Sequence, residues 1–354
     1  MHRIRPCVYV AVLCIGKDKN KSAKKPPILY IAPDRKHRNR LSVQSMVHEP
    51  DSVFDLGIAW NWEYDADFIH GIEHACHHLG LTTFRIEQYN VKELTRKFRS
   101  GKIAFKTFLD RASDDDKNFL PLGNLIAGSG THVFNTYEQT EYAKDKANMH
   151  VACLGEGIHV PYTIIISPYS KKKEVELSLT ELAHLGRPFI IKPANTTGGG
   201  IGVVLGAETL KEIITSRKSH INDKYLLQET IHPVMLDAKR GWFRVFYAFG
   251  LTIPCWWNNE THIYHVLTEN EEKKFKLARL RQIAVTMQRI CRLDFFSSEI
   301  ALTQDGRFVA VDYVNEICDM RPQSKYFDGV PDKVIGVIQQ QLAQQIYAKT
   351  KKVS

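Results

Sequence analysis

Apolar runs punctuated by glycine and polar clusters divide the chain into short strands and amphipathic helices. Strand patterning covers residues 8–15, 28–31 and 53–60, with a basic loop between the first two. A helical period over 65–79 stops at Gly80, as helices often do. A strand at 82–86, a helix at 91–99, a strand at 103–109 and a helix at 114–127 follow. This alternation predicts a small α/β domain with a mostly parallel sheet, ending near Asn135.

Beyond that point the pattern is mixed. Thr136 with Gln139 predicts a capped helix through 155, and Ser178 with Glu181 a second, shorter one through 185. Strands are predicted at 162–166, 188–191, 203–205, 225–228 and 242–249, and helices at 208–217 and 275–291. Two last strands, 297–302 and 308–313, pair across a turn at Asp305-Gly306. Alternation puts Ser298, Ile300 and Leu302 on one face of the first and Glu299 on the other. In the second, Asp312 lies among Val309, Ala310, Val311 and Val314, a costly place for a carboxylate without a partner. The fold class is therefore α/β joined to α+β.

Charge sharpens this picture at one end only. Residues 1–42 hold eleven Lys/Arg against two Asp, which is the whole of the net +9, so 37 basic and 37 acidic residues balance in the remainder. Such a segment suits an acidic partner or an anionic surface. It lacks the interleaved aromatic residues of a single-strand binder, which disfavours nucleic acid and leaves a solvated lysine-rich loop as the plain alternative. Seven scattered cysteines without CxxC spacing exclude a disulfide framework and a zinc ribbon, and fit a reducing, cytoplasmic setting. No apolar run reaches the length of a membrane span. The basic start and apolar 7–15 stretch lack a small-residue cleavage site, so they predict a first strand.

The candidate chemistry centres on residues 187–206, RPFIIKPANTTGGGIGVVLG. Lys192 ends a strand and precedes the glycines, and a strand rather than a helix follows them. That excludes both a Walker loop and a dinucleotide fingerprint. What remains is an ordinary glycine hairpin, or a flap whose backbone N–H groups close over a polyphosphate beside a lysine charge. Glu299, Asp312 and the Asn315 amide oxygen form a hard donor set of the kind that shares Mg²⁺ with phosphates. The competing account pairs a buried acid with Arg321 or Arg292. His74, His77 and His78 share a helix face, where a solvated histidine face outweighs a metal site.

Lysine before a glycine flap, a second lysine upstream and a late acid with Asn resemble the ATP-grasp superfamily, most closely its RimK-type (YheC/YheD-like) carboxylate-amine ligases. The resemblance covers roughly residues 111–320. It implies an ATP-grasp fold behind an N-terminal Rossmann-like domain, divided as 1–135, 136–230 and 231–354. It implies ATP with Mg²⁺, or Mn²⁺ in its place. Lys146 and Lys192 match the two ATP lysines, and Thr197, Gly198, Gly199 and Gly200 the flap. Gln228, Glu229, Thr230 and Ile231 match the adenine hinge, and Asp237 the ribose-facing acid. Arg244 matches the arginine aimed at the transferring phosphate, with Arg321 as its second. Glu299, Asp312 and Asn315 match metal ligands, while Arg111, Trp257, Asp319 and Ser324 fall where substrate is reached. The implied activity is C–N bond formation between a small-molecule or peptide carboxylate and an amine through an acyl phosphate. A kinase acting on a hydroxyl acceptor and a non-catalytic nucleotide-binding scaffold are the alternatives. Two departures stand out: Trp242 replaces an acid two before Arg244, and the family's acid-x-Asn becomes Tyr313-Val314-Asn315. Asp312, three before Asn315, reaches the same face only if a bulge realigns the strand.

Overall fold

The computed structural model describes residues 50–196 and 200–351. The basic segment 1–42, the strands expected at 8–15 and 28–31, and Thr197, Gly198 and Gly199 lie outside the described residues.

The first layer is a parallel sheet in the order β2-β1-β3-β4: β1 (Ser52–Trp60), β2 (Thr83–Ile86), β3 (Ile103–Arg111) and β4 (His132–Phe134). Helices α1 (Ala66–His78), α2 (Val91–Arg99) and α3 (Leu120–Ala127) connect them. Both faces are covered, as βαβ crossovers require. Phe105, Phe108 and Ile126 pack with α2 and α3 on one face, and Leu56, Ile58 and Phe68 pack on the other. Helix α3 starts six residues later than its pattern predicts. Asp110 and Asp116 capture the N–H groups of Ala112, Ser113 and Asn118 and hold that stretch in turns.

Next come α4 (Tyr137–Lys144), α5 (Lys146–Gly155), β5 (Thr163–Ile166), α6 (Leu179–Leu185), β6 (Phe189–Pro193), β7 (Val204–Ala207), α7 (Leu210–Arg217) and β8 (Tyr225–Glu229). The four strands form an antiparallel sheet ordered β5-β8-β6-β7. The capping boxes at Thr136 and Ser178 form as expected. The single helix expected over 136–155 is two, because Asp145 adopts an extended conformation and caps α5 through the N–H groups of Ala147 and Asn148.

A small hairpin of β9 (Met235–Leu236) and β10 (Lys239–Arg240) leads to β11 (Trp242–Ala248), β12 (Leu251–Trp257), β13 (Tyr264–Val266), α8 (Glu269–Lys274), α9 (Arg279–Cys291), β14 (Phe295–Leu302), β15 (Phe308–Asn315) and α10 (Asp332–Lys351). The larger sheet is antiparallel, β13-β12-β11-β14-β15. One face packs on α5 and α9 through Phe243, Phe296 and Met287, and the other joins α1 and α10 through Phe295, Ile338 and Leu342. Helix α9 starts later than the expected 275, since Lys276 sits at positive φ and breaks the run. Among the described residues no helix is long and apolar enough to cross a membrane.

Candidate functional site

Two lysines converge on the β14–β15 pair. Lys192 closes its side chain into the interior from β6, 7% exposed, and donates to the Val311 carbonyl at 3.2 Å. Burial, with the neighbouring Lys146 charge, pulls its ammonium down to about 8 against the attraction of Asp312. Lys146 opens α5, where its N–H donates to the Ala194 carbonyl, two residues past Lys192. Its ammonium lies 2.9 Å from Asp312 Oδ1. Burial works against the charge on Lys146, but the Asp312 carboxylate outweighs it and raises the pKa.

The β14–β15 ladder carries the bulge that the Asp312–Asn315 spacing demands. Ser297 pairs with Asn315 and Glu299 with Asp312, so two steps on β14 face three on β15, and a second shift follows before Ile300–Ala310. Asp312 is thereby set directly opposite Glu299. Burial alone would raise the Asp312 carboxyl, yet Lys146 and Lys192 hold it down at about 2. Burial pushes Glu299 up despite Arg244, and the facing Asp312 charge adds to the rise.

Arg244 projects from β11 beside this pair. It forms an ion pair with Glu299, donates to Ser297 Oγ at 3.3 Å and stacks 4.6 Å over Trp257. The Asn315 amide is oriented so that its oxygen accepts from Arg244 Nη1 at 3.0 Å and its nitrogen donates to the Ile317 carbonyl at 2.9 Å. Trp242, at the position of the missing acid, donates its indole N–H to Glu299 at 3.3 Å.

The donor set fits a hard divalent cation. Two carboxylates face each other beside an amide oxygen, and Asp312 Oδ1 is buried without an oriented hydrogen bond although Lys146 pairs with it. Among the described residues no three His, Cys, Asp or Glu gather as a self-sufficient metal cage, so a cation here would share its shell with a ligand's oxygens. His74 and His78 meet each other at 3.1 Å, and His77 meets Thr83, whose hydroxyl donates to Glu73.

The glycine segment is rooted firmly. Asn195 donates its N–H and side-chain amide, and Thr196 its hydroxyl, to the buried Asp223 at 2.8–3.1 Å. Gly200 and Gly202 hold positive φ, and a Cβ on Gly202 would lie 3.1 Å from Pro193. At the hinge, the Glu229 carboxylate accepts the Tyr162 N–H, Thr230 donates to the Pro188 carbonyl, and Ile231 packs half-buried. Gln228 is fully buried with its amide on Tyr313, so at this strand end its side chain is turned into the interior.

Other expected residues are engaged elsewhere. Arg111 is 4% exposed, its guanidinium doubly bonded to Asp65 and donating to the Cys318 carbonyl, so it braces the 315–319 loop. Trp257, 9% exposed, is a shelf beneath Arg244. Arg321 spends its charge on Asp319 and Asp328, and Ser324 bonds Asp332 at the start of α10. Asp237 pairs with Lys274 in the exposed β9–β10 turn. Three contributors had no motif in the sequence: Ser297, His150, and Asn135, which ties β4 to Asp294, Phe295 and Glu316.

No protein-family model matches the sequence, and no curated protein matches it. Solved structures do. A D-alanine–D-alanine ligase from Bacillus anthracis complexed with ATP is 14% identical with a TM-score of 0.57, over 84% of this chain and 97% of that one. A RimK-domain ATP-grasp protein from Sphaerobacter thermophilus is 16% identical at a TM-score of 0.55, over 82% and 99%. The ATP-grasp ligase PsnB, complexed with minimal precursor, Mg and ADP, is 14% identical at 0.55, over 84% and 98%.

Proposed function

We propose, from the ATP-grasp fold that this chain has in common with those structures, that the protein is an ATP-dependent ligase joining a carboxylate to an amine. The observation that supports this most is the convergence of Lys146 and Lys192 on a bulged strand pair that sets Asp312 opposite Glu299. The division at residues 135 and 230 is part of the same proposal.

Lys146 and Lys192 would neutralise the triphosphate, the segment from Thr197 to Gly202 would close over it, and the chain past Gln228 would hold adenine through its backbone. Glu299, Asp312 and Asn315 would hold Mg²⁺, which when bound polarises phosphoryl oxygens. A substrate carboxylate oxygen attacks the γ-phosphorus as the bond to the β–γ bridging oxygen breaks, giving an acyl phosphate and ADP. The amine nitrogen then attacks the acyl carbon, phosphate departs with the electron pair, and the amine proton is lost to solvent. Arg244, ion-paired with Glu299 and fixed by Trp257, Ser297 and Asn315, is a preorganised cation for the charge that builds in both steps, and a cation held by Glu299 would release it for that role. Lys192 is buried and the Arg244 side chain is largely shielded, so water screens those charges little. The carboxylate is a small molecule or a peptide; structures of PsnB carry a precursor peptide.

Hydroxylamine trapping tests this. Full-length protein with ATP, Mg²⁺ and pools of amino-acid and peptide carboxylates is expected to release ADP and form acyl hydroxamates. A phosphorylated hydroxyl product would make it a kinase, and nucleotide binding without turnover would make it a scaffold; either overturns the ligase reading.

A further inference from the structure

In an unbroken strand, residues three apart point to opposite faces, so Asp312 and Asn315 share a face only because β15 is bulged. A bulge needs something to hold it. Tyr313, which occupies the position where the resembling ligases carry an acid, turns inward and is 1% exposed. Its hydroxyl receives the Gln228 amide N–H at 2.8 Å and meets His150 Nδ1 at 2.7 Å. With the amide nitrogen donating, the tyrosine O–H is free to donate to Nδ1, an arrangement that places the proton of a neutral His150 on Nε2. Gln228 leaves its own Oε1 buried and unpartnered to make this bond. The bulge backbone is also held by Ser298 Oγ, which donates to the Asp312 carbonyl at 3.1 Å, and by Lys192, which donates to that of Val311.

We propose that the buried Tyr313–His150–Gln228 cluster is a positioning device: it anchors β15 from α5 and β8 in the bulged register, and so delivers Asp312, in place of residue 313, to the face of Glu299. The inference rests on the nucleotide-site reading above. None of the three side chains is a catalytic residue; they act through Asp312. A plain core role for Tyr313 would affect stability without affecting cation binding.

The experiment is an electron paramagnetic resonance titration of Mn²⁺, standing in for Mg²⁺, into full-length protein with ADP present. It compares the unmodified chain with Tyr313→Phe, His150→Leu and His150→Asn. Residues behind metal ligands typically change affinity about tenfold or more, and that weakening is expected for Tyr313→Phe and His150→Leu. His150→Asn keeps an acceptor at the Nδ1 position and should restore most of the affinity; the His150 pair carries the test if Tyr313→Phe does not fold. Mn²⁺ affinities indistinguishable from the unmodified protein, with only a lowered melting temperature, would overturn the positioning role and leave the nucleotide reading standing. No Mn²⁺·ADP binding by the unmodified protein would overturn both.

Discussion

At the scale of single residues, burial sets the chemistry. Lys192 is kept near the bottom of the lysine range by desolvation, so a phosphate would gain an amine that is charged yet poorly hydrated. A charge-assisted bond of this kind contributes roughly 2 kcal/mol, so Lys192→Ala should weaken ADP binding about thirtyfold by calorimetry. His150 makes an independent prediction about pH. Burial, with the Lys192 charge nearby, lowers its pKa from 6.5 to about 4. The unfolded chain therefore takes up this proton first on acidification. The contribution to stability is complete above pH 6.5 and is lost as pH falls toward 4, on the order of 3 kcal/mol. Urea unfolding at pH 7 and pH 4.5 should show this loss, and His150→Leu should flatten it. An equal slope in the variant would remove His150 as its source. Arg111 is a third case. Its Asp65 partner is 1% exposed, so Arg111→Met strands a buried carboxylate and should cost about 3–5 kcal/mol in the same assay.

At the scale of elements, the glycine segment depends on its root. Asp223 gathers three donors from Asn195 and Thr196, and Asp223→Ala should raise protease cleavage within 196–203 and weaken ADP binding while the melting temperature changes little. Unchanged cleavage would place the order of that segment elsewhere. Local signals of this sort were largely legible in the sequence. The parallel sheet, the capping boxes and the lysine–glycine–strand order all follow from spacing within a few residues. The stripe Val334, Ile335, Ile338, Leu342 and Ile346 also has a helical period, so α10 too is carried by local spacing. The bulge was legible only as a condition. Its cause is contact between Tyr313 and His150, 163 residues apart, which no local pattern carries. The roles expected for Arg111, Arg321, Ser324 and Asp237 meet the same limit. Sequence order placed them near the site, but Asp65, Asp319, Asp328, Asp332 and Lys274 occupy their polar groups.

At the scale of the whole molecule, the strand pair with Glu299 and Asp312 is held from both sides. Arg111 and Asn135, from the parallel sheet, bond the Cys318 and Glu316 carbonyls just past Asn315. Lys192 and the Tyr313 cluster reach the same strand from the four-stranded sheet and α5. The cluster thus draws on three layers, none of which contains a complete site. We infer that a magnesium nucleotide binds at this meeting point. Isothermal calorimetry of ADP, with and without Mg²⁺, on the unmodified chain, Lys192→Ala and Glu299→Ala tests it most directly. Mg²⁺-dependent binding that both substitutions weaken is expected, with Glu299→Ala also removing most of the Mg²⁺ dependence. Binding of equal strength in all three proteins, or none in the unmodified chain, would contradict it.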